Sequence, residues 1–181
     1  MEKDSQSHQR KFLSQILEDI ESAKTQSFIA HYYRTYKDPI FSPSWMIIEI
    51  ISFGSWSHLY QSFAFNKDKN AIALMFEVNS SKIFTSWLRS LSFIRNTCAH
   101  HGRLWNRKFS IKPKPMKEMT QGEYLAGTFA ENAFIIQCFL KQISPEQNWA
   151  EKLKKLLAEY PEILPISLGF NVNWFNDEHW Q

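Results

Sequence analysis

Residues 81–107 read SKIFTSWLRSLSFIRNTCAHHGRLWNR. Apolar residues in this stretch recur at intervals of three and four, which is the spacing of one buried helix face. They are Phe84, Trp87, Leu88, Leu91, Ile94 and Cys98. Gly102 is suited to the position just after a helix. The pattern therefore predicts a helix over residues 81–101, with His100 and His101 in its last turn.

The same stretch lies in the most basic part of the chain. Nine Lys or Arg residues and no acid occur between Glu77 and Glu118, whereas the net charge of all 181 residues is only +3. The remainder of the chain is therefore net negative. A local excess of one sign favours a polyanion as partner.

The composition predicts one globular domain over residues 1–181. The chain is 44% hydrophobic and has only five Gly, which disfavours a turn-rich all-β protein and disorder. Its two cysteines, Cys98 and Cys138, lie in apolar segments, so we expect both to be reduced core residues. The polar N-terminus and the short apolar runs predict a soluble, cytoplasmic protein with no membrane partner.

Other segments are also helical by their spacing, so the predicted fold class is all-α. Residues 11–36 predict one interrupted helix or two short ones. Residues 43–63 are apolar on all sides, which predicts an enclosed, central helix with either a bend or a close helix crossing at Gly54. Residues 66–70 are predicted to be a solvated connection, and Asn79 to Ser81 offer caps for the helix that follows. Further helices are predicted over 71–78, 122–143 and 144–160, and the aromatic tail 166–180 is expected to pack back on the body.

Arg95 and His100 are the pair that points to chemistry. On an ideal helix Arg95 falls within the apolar stripe, whereas Asn96 and His100 lie on another face. A charge within the stripe needs either a partner or a function. If the two groups act together, either the helix unwinds at His100 or two copies of the helix share the site across a two-fold axis. The structural alternative is a buried ion-paired Arg with histidines that cap carbonyl groups.

A family resemblance favours a functional role for Arg95 and His100 over the structural alternative. Arg95-Asn96-Thr-Cys-Ala-His100 matches the Arg-x-x-x-x-His signature of the HEPN superfamily. The longer string from Trp87 to Arg107 resembles the C-terminal half of the Abi-like (AbiD/AbiF-type abortive infection) family of that superfamily. Residues 27–36, 45–54 and 168–174 are similar as well, so the resemblance covers most of the chain.

The resemblance implies a HEPN-like helical bundle that cleaves RNA without a metal or other cofactor. His100 would move protons, Arg95 would stabilise the phosphate and Asn96 would orient groups nearby. Imidazole and guanidinium suit these roles, because His transfers protons near neutral pH and Arg offers a fork of donors to a charged phosphate. The products would carry a 2′,3′-cyclic phosphate and a 5′-OH.

A second set of residues is expected to contact RNA beside the pair. It comprises His101, Arg103, Asn106, Arg107 and Lys108. For His101 the alternatives are a capping role and a second proton carrier, and for the others the alternative is a solvated loop. Trp105 has two interpretations, a base-stacking residue or a packing anchor. Cys98, His100 and His101 have no fourth ligand at a recognisable spacing, so no metal site is predicted.

The predicted function is a metal-independent endoribonuclease of a bacterial phage-defence or toxin–antitoxin system. Its partners would be RNA, a second copy of the chain in a homodimer, and an antitoxin RNA or protein. A non-catalytic RNA-binding or regulatory HEPN module is the alternative. A transferase that modifies RNA or protein is a third class, but no Gly-rich phosphate loop supports it.

Overall fold

The computed structural model describes residues 2–38, 41–116, 124–171, 173–176 and 180, with backbone alone for 2–6, 8 and 9. Within these ranges the structure is helical, and its only β-type pairing is an isolated bridge between Tyr124 and Phe170. The α-helices are α1 (Glu2–Ser22), α2 (Ser27–Thr35), α3 (Ser44–Ile50), α4 (Phe53–Ser62), α5 (Asn66–Leu74), α6 (Ser81–Ala99), α7 (Phe129–Ile143) and α8 (Trp149–Glu159). Two 3₁₀ helices follow at Pro165–Leu168 and Trp174–Asn176. The predicted all-α class is confirmed.

The chain divides into two compact units, Met1–Asn66 and Lys67–Gln181. In the first unit, α1 packs against α3 and α4. Ile16 and Ile20 lie four residues apart on α1 and form a core cluster with Ile51. Because this division does not test whether the units fold together, a single domain over 1–181 stays a prediction.

The segment 43–63 forms two helices rather than one. Helix α3 ends at Ile50, and α4 begins after Ser52, whose hydroxyl oxygen accepts a 3.1 Å hydrogen bond from the Ser55 N–H. The break therefore lies at a serine cap and not at Gly54. The prediction that neighbouring helices enclose this segment on all sides is also wrong, since Trp45 is 63% exposed and Ile48 is 56% exposed.

In the second unit, α6 packs against α7, and α7 packs against α8. The contact between α6 and α7 contains aromatic rings, with Phe84 and Phe139 centroids 5.4 Å apart. It also contains polar groups, because the fully buried Ser90 hydroxyl donates a 2.6 Å hydrogen bond to Asn132 Oδ1. Buried polar atoms that are paired in this way fix the register of two helices better than apolar contacts alone.

Helix α5 begins at Asn66, so the stretch predicted to be a solvated connection is helical. One of its polar residues has a structural task, since Asn70 Oδ1 accepts a 3.1 Å hydrogen bond from the Ser81 N–H at the start of α6. Ser80 occupies the N-cap position of α6, but its side chain makes no capping bond. The cap is therefore supplied by a distant residue, which a local pattern cannot indicate.

Helices α7 and α8 begin later than predicted. Gly127 has a left-handed φ of 75° and Thr128 is extended, so a helix cannot continue through them into α7. Residues 122 and 123 lie outside the described ranges. Before α8, the Gln147 side-chain oxygen accepts from the Trp149 N–H, so the chain turns at 144–148 and the helix begins at Trp149.

The basic loop after α6 and the C-terminal tail are both tied to this unit. Trp87 Nε1–H donates to the Lys114 carbonyl at 2.9 Å, and the Phe109 N–H donates to the Gly127 carbonyl at 2.7 Å. In the tail, Trp174 and Trp180 are buried, and the Trp174 ring lies 4.4 Å from that of Phe170. The prediction that the tail packs back is confirmed.

Within the described ranges, no helix is both long enough and apolar enough to cross a membrane.

Candidate functional site

Helix α6 ends in a closed backbone motif that contains both histidines. The last helical residue is Ala99, and His100 is the C-cap. The His101 N–H donates to the Cys98 carbonyl at 3.0 Å, and the Gly102 N–H donates to the Thr97 carbonyl at 2.7 Å. These two bonds define a Schellman motif, which satisfies carbonyl groups at a helix end. Both histidine side chains are exposed there, and both lie just beyond the end of the helix rather than in its last turn as predicted.

His101 occupies the left-handed position of this motif, with a φ of 54°. Glycine is the usual residue there, and a left-handed conformation costs an L-residue roughly 1–2 kcal/mol. The predicted terminator, Gly102, meets a different need. A Cβ at Gly102 would lie 2.7 Å from Thr97 Cγ2 and 2.9 Å from the Thr97 carbonyl oxygen. The glycine is therefore required by a close approach of the backbone.

Arg95 is exposed, so its predicted place in a buried stripe is wrong. The buried residues of α6 are Phe84, Trp87, Ser90 and Ile94. The middle of this face is roughly 85° from Arg95 on an ideal helix. Cys98 is exposed as well, and only Cys138 is half-buried. Arg95 is exposed because it points away from the buried face, whereas Cys98 lies on the line of that face but beyond Ile94, the last buried residue of α6.

Arg95 and Asn96 form a pair on this exposed end of α6. Arg95 Nη1–H donates a 3.0 Å hydrogen bond to Asn96 Oδ1. Among the described residues, Asn96 is the one hydrogen-bond partner of the Arg95 side chain. A guanidinium has five donors in a fixed plane, so this contact orients the group and leaves most of its donors facing solvent.

The exposed face of α6 also carries a row of polar side chains that ends near His100. Lys82, Arg89 and Asn96 are exposed and lie seven residues apart. Seven residues make nearly two turns, so the row is almost straight and spans roughly 21 Å. The seven-residue spacing is visible in the sequence, although Lys82 and Arg89 were not among the predicted RNA contacts.

The predicted RNA contacts in the loop after α6 are of two kinds, exposed charges and residues held by contacts within the protein. Arg103 and Lys108 are exposed charges. Arg107 is half-buried, with Cζ 5.5 Å from the Phe109 ring centroid and Nη1–H donating to the Arg103 carbonyl at 3.3 Å. Asn106 is exposed, has a φ of 49°, and donates its backbone N–H to the Ser167 carbonyl at 2.6 Å. Arg107 and Asn106 thus hold the shape of the loop.

One lysine of the basic segment faces a buried carboxylate. Glu131 in the first turn of α7 is 7% exposed, and its Oε2 accepts a 2.8 Å hydrogen bond from the Gly127 N–H. Burial raises the pKa of Glu131, whereas that hydrogen bond and the charge of Lys112 lower it. The Lys112 side chain lies across Gly127, where a Cβ would come within 2.9 Å of its Cε. Lys112 therefore belongs to the structure of the loop.

Within the described ranges, no group of three or more His, Cys, Asp or Glu side chains is placed to hold a metal ion. The exposed groups that the structure does bring to one end of α6 are a guanidinium, a carboxamide and two imidazoles. These are groups that bind phosphate and transfer protons.

Comparison with known proteins gives one family. No curated protein and no solved structure matches the chain. The Abi-like protein family model matches residues 1–106, which include Arg95, Asn96, His100, His101 and the first part of the basic loop. Because the match covers more than half of the 181 residues, the chain belongs to the Abi-like protein family.

Proposed function

We propose that this chain is a metal-independent endoribonuclease of a bacterial phage-defence (abortive-infection) or toxin–antitoxin system. The observation that carries the proposal is the exposed Arg95–Asn96 pair on the last turns of α6, followed by the exposed His100 at the C-cap. All three residues lie in the part of the chain that matches the Abi-like family. We take their Arg-x4-His spacing as the signature of a HEPN ribonuclease.

In this proposal the chain cleaves RNA by attack of a ribose 2′-oxygen on the adjacent phosphorus. His100 accepts the proton of the 2′-OH and returns a proton to the departing 5′-oxygen. Arg95 donates hydrogen bonds to the phosphate as negative charge builds on it. Asn96 acts by holding the guanidinium in position, since it accepts one of its N–H groups at 3.0 Å. The products are a 2′,3′-cyclic phosphate and a 5′-OH.

The proposed active form is a homodimer whose site combines residues from both copies. The reason is the direction of the two side chains. Five residues of an ideal helix turn by roughly 140° and rise 7–8 Å, and His100 directly follows the last helical residue, Ala99. A two-fold axis near the end of α6 would bring Arg95 of one copy to His100 of the other. RNA is the substrate, and an antitoxin RNA or protein is the proposed neutralising partner.

Complementation between inactive variants tests the shared site. Arg95→Lys and His100→Ala proteins, each inactive alone, are mixed and allowed to exchange subunits. A shared site predicts recovery of roughly a quarter of wild-type activity, because about half the dimers are mixed and each has one intact site of two. No recovery, with mixed dimers demonstrated by mass, would contradict the shared site.

The nuclease itself is tested with RNA in the presence of EDTA. Wild-type protein should yield 2′,3′-cyclic phosphate ends, and His100→Ala should lower the cleavage rate by roughly 10²-fold or more while RNA binding survives. His58→Ala is the matched control, because His58 is also exposed but lies on α4. If pure wild-type protein binds RNA and leaves it intact, the chain is instead a non-catalytic RNA-binding module.

A further inference from the structure

Trp105 is a large aromatic side chain on the surface of the basic loop. It is 45% exposed and follows Arg103 by two residues. Among the described residues, no aromatic ring packs on it, in contrast to the clustered Trp174 and Trp180, whose centroids are 4.7 Å apart. The packing-anchor interpretation therefore accounts for the tail tryptophans better than for Trp105.

The turn that carries Trp105 is held on both sides. On the next residue, the Asn106 N–H donates to the Ser167 carbonyl at 2.6 Å, and the φ of 49° at Asn106 fixes the direction of the chain. Arg107 then rests against Phe109 and donates to the Arg103 carbonyl at 3.3 Å. A ligand that contacts Trp105 thus meets a surface whose backbone is already ordered, which reduces the entropic cost of binding.

The surroundings of Trp105 are those of a nucleic-acid contact. Exposed Arg103 and Lys108 lie two and three residues away, and exposed His101 lies four residues away. The other strongly exposed tryptophan, Trp45, is 63% exposed on α3, where its exposed neighbour one turn on is Ile48. Aromatic rings beside cations bind nucleotides by stacking on the base while the cations contact phosphate.

Stacking of a base on the Trp105 indole would also determine whether single-stranded or double-stranded RNA binds. In a duplex both faces of every internal base are already covered by neighbouring bases, and the deep major groove is closed to side chains. An unpaired base has a face free for an indole. A platform at Trp105 therefore discriminates in favour of single strands, loops and bulges.

We propose that Trp105 is a stacking platform for one unpaired base, which makes single-stranded RNA the substrate class of the site. The proposal rests on the proposed function for the identity of the ligand as RNA. It assigns Trp105 to binding and gives it no part in the proton transfers.

The test uses the His100→Ala protein, so that RNA stays intact, and a short single-stranded RNA with one 2-aminopurine, whose fluorescence falls on stacking. Adding Trp105→Ala should weaken binding roughly 5- to 100-fold and abolish the quenching. Trp105→Phe, which keeps a ring, should restore much of both. Trp45→Ala is the matched control and should leave both unchanged. Binding of a fully paired duplex of the same sequence should be the same with and without Trp105.

The failures of the two proposals are distinguishable. If the protein binds the RNA and Trp105→Ala binds it with the parent's affinity and quenching, the stacking proposal is overturned and the nuclease proposal stands. A duplex that loses as much affinity as the single strand would also overturn it. If neither the parent nor wild-type protein binds RNA, both proposals fail.

Discussion

The Gly102 N–H donates a 2.7 Å hydrogen bond to the Thr97 carbonyl oxygen, and this bond closes helix α6 at the candidate site. It reaches back across five residues, so it fixes the turn in which His100 and His101 lie. The strength of this closure depends on a close approach that only glycine permits.

Gly102→Ala should destabilise the fold by about 1–3 kcal/mol, the usual cost of forcing atoms into packed space. The added Cβ meets both Thr97 Cγ2, at 2.7 Å, and the Thr97 carbonyl oxygen, at 2.9 Å. Denaturant unfolding measures the loss. Thr97→Ser in the same protein removes only the methyl clash and should restore part of the stability. Full stability of Gly102→Ala alone would show that the helix end relaxes without cost.

His101→Gly should raise the free energy of unfolding by about 1 kcal/mol, since glycine takes the left-handed φ of 54° without steric cost. The same change should weaken RNA binding if the imidazole contacts phosphate. Thermal unfolding and RNA titration are measured on the same samples. His101→Asn is the control, because asparagine also tolerates this conformation but carries no imidazole. If His101→Gly is more stable and binds RNA with wild-type affinity, the His101 imidazole does not contact RNA and the residue only occupies a position in the helix cap.

Arg95→Ala and Arg95→Lys should change the free energy of unfolding by no more than about 0.5 kcal/mol, because the side chain is exposed. Both should abolish RNA cleavage, since lysine keeps the charge but loses the planar fork. Asn96→Ala, which removes the 3.0 Å hydrogen bond to Arg95, should lower kcat more than it raises KM. Wild-type cleavage by Arg95→Lys would remove Arg95 from the proposed mechanism.

Neutralising Arg89, Arg103 and Lys108 together should flatten the salt dependence of RNA affinity. Each phosphate contact contributes roughly −0.7 to the slope of log K against log [salt] for a single strand, so three contacts predict a change of roughly 2. The matched triple variant replaces Lys37, Lys152 and Lys155, which are also exposed but lie outside the basic segment. If the two triple variants show the same slope of log K against log [salt], RNA affinity depends on the net charge of the protein and not on this particular surface. Arg107 is left intact because it braces the loop.

Glu131→Gln should remove a pH-dependent part of the stability. Burial raises the pKa of Glu131 above its ordinary value, so its stabilising contribution is complete below the unfolded-state pKa and is lost as the pH rises through the folded-state pKa. Wild-type protein should therefore lose stability relative to Glu131→Gln between acid and neutral pH. Glutamine still has an oxygen to accept the Gly127 N–H. Exposed Glu151→Gln is the control, and unfolding at several pH values is the measurement.

Much of this fold is local in origin and could be predicted. The periodic apolar residues of α6 and the aromatic tail act through near neighbours in the chain or through simple burial. The Arg95-x4-His100 pattern and its place at a helix end were likewise evident, because a glycine follows the two histidines. The exact capping residue was missed by one position, since the choice between His101 and Gly102 depends on how closely Thr97 approaches.

The exposure of the site could not be predicted, because it depends on where packing against α6 stops. Cys98 follows the apolar spacing as faithfully as Ile94, yet Ile94 is 5% exposed and Cys98 is exposed. Periodicity gives the direction of a side chain around the helix but not whether another element covers that turn. The distant Asn70 cap on α6 and the fixing of Asn106 by Ser167 have the same origin. Apolar periodicity thus specifies the helix and its chemical groups, whereas the exposure of these groups is set by tertiary packing, because burial depends on which other elements cover a residue.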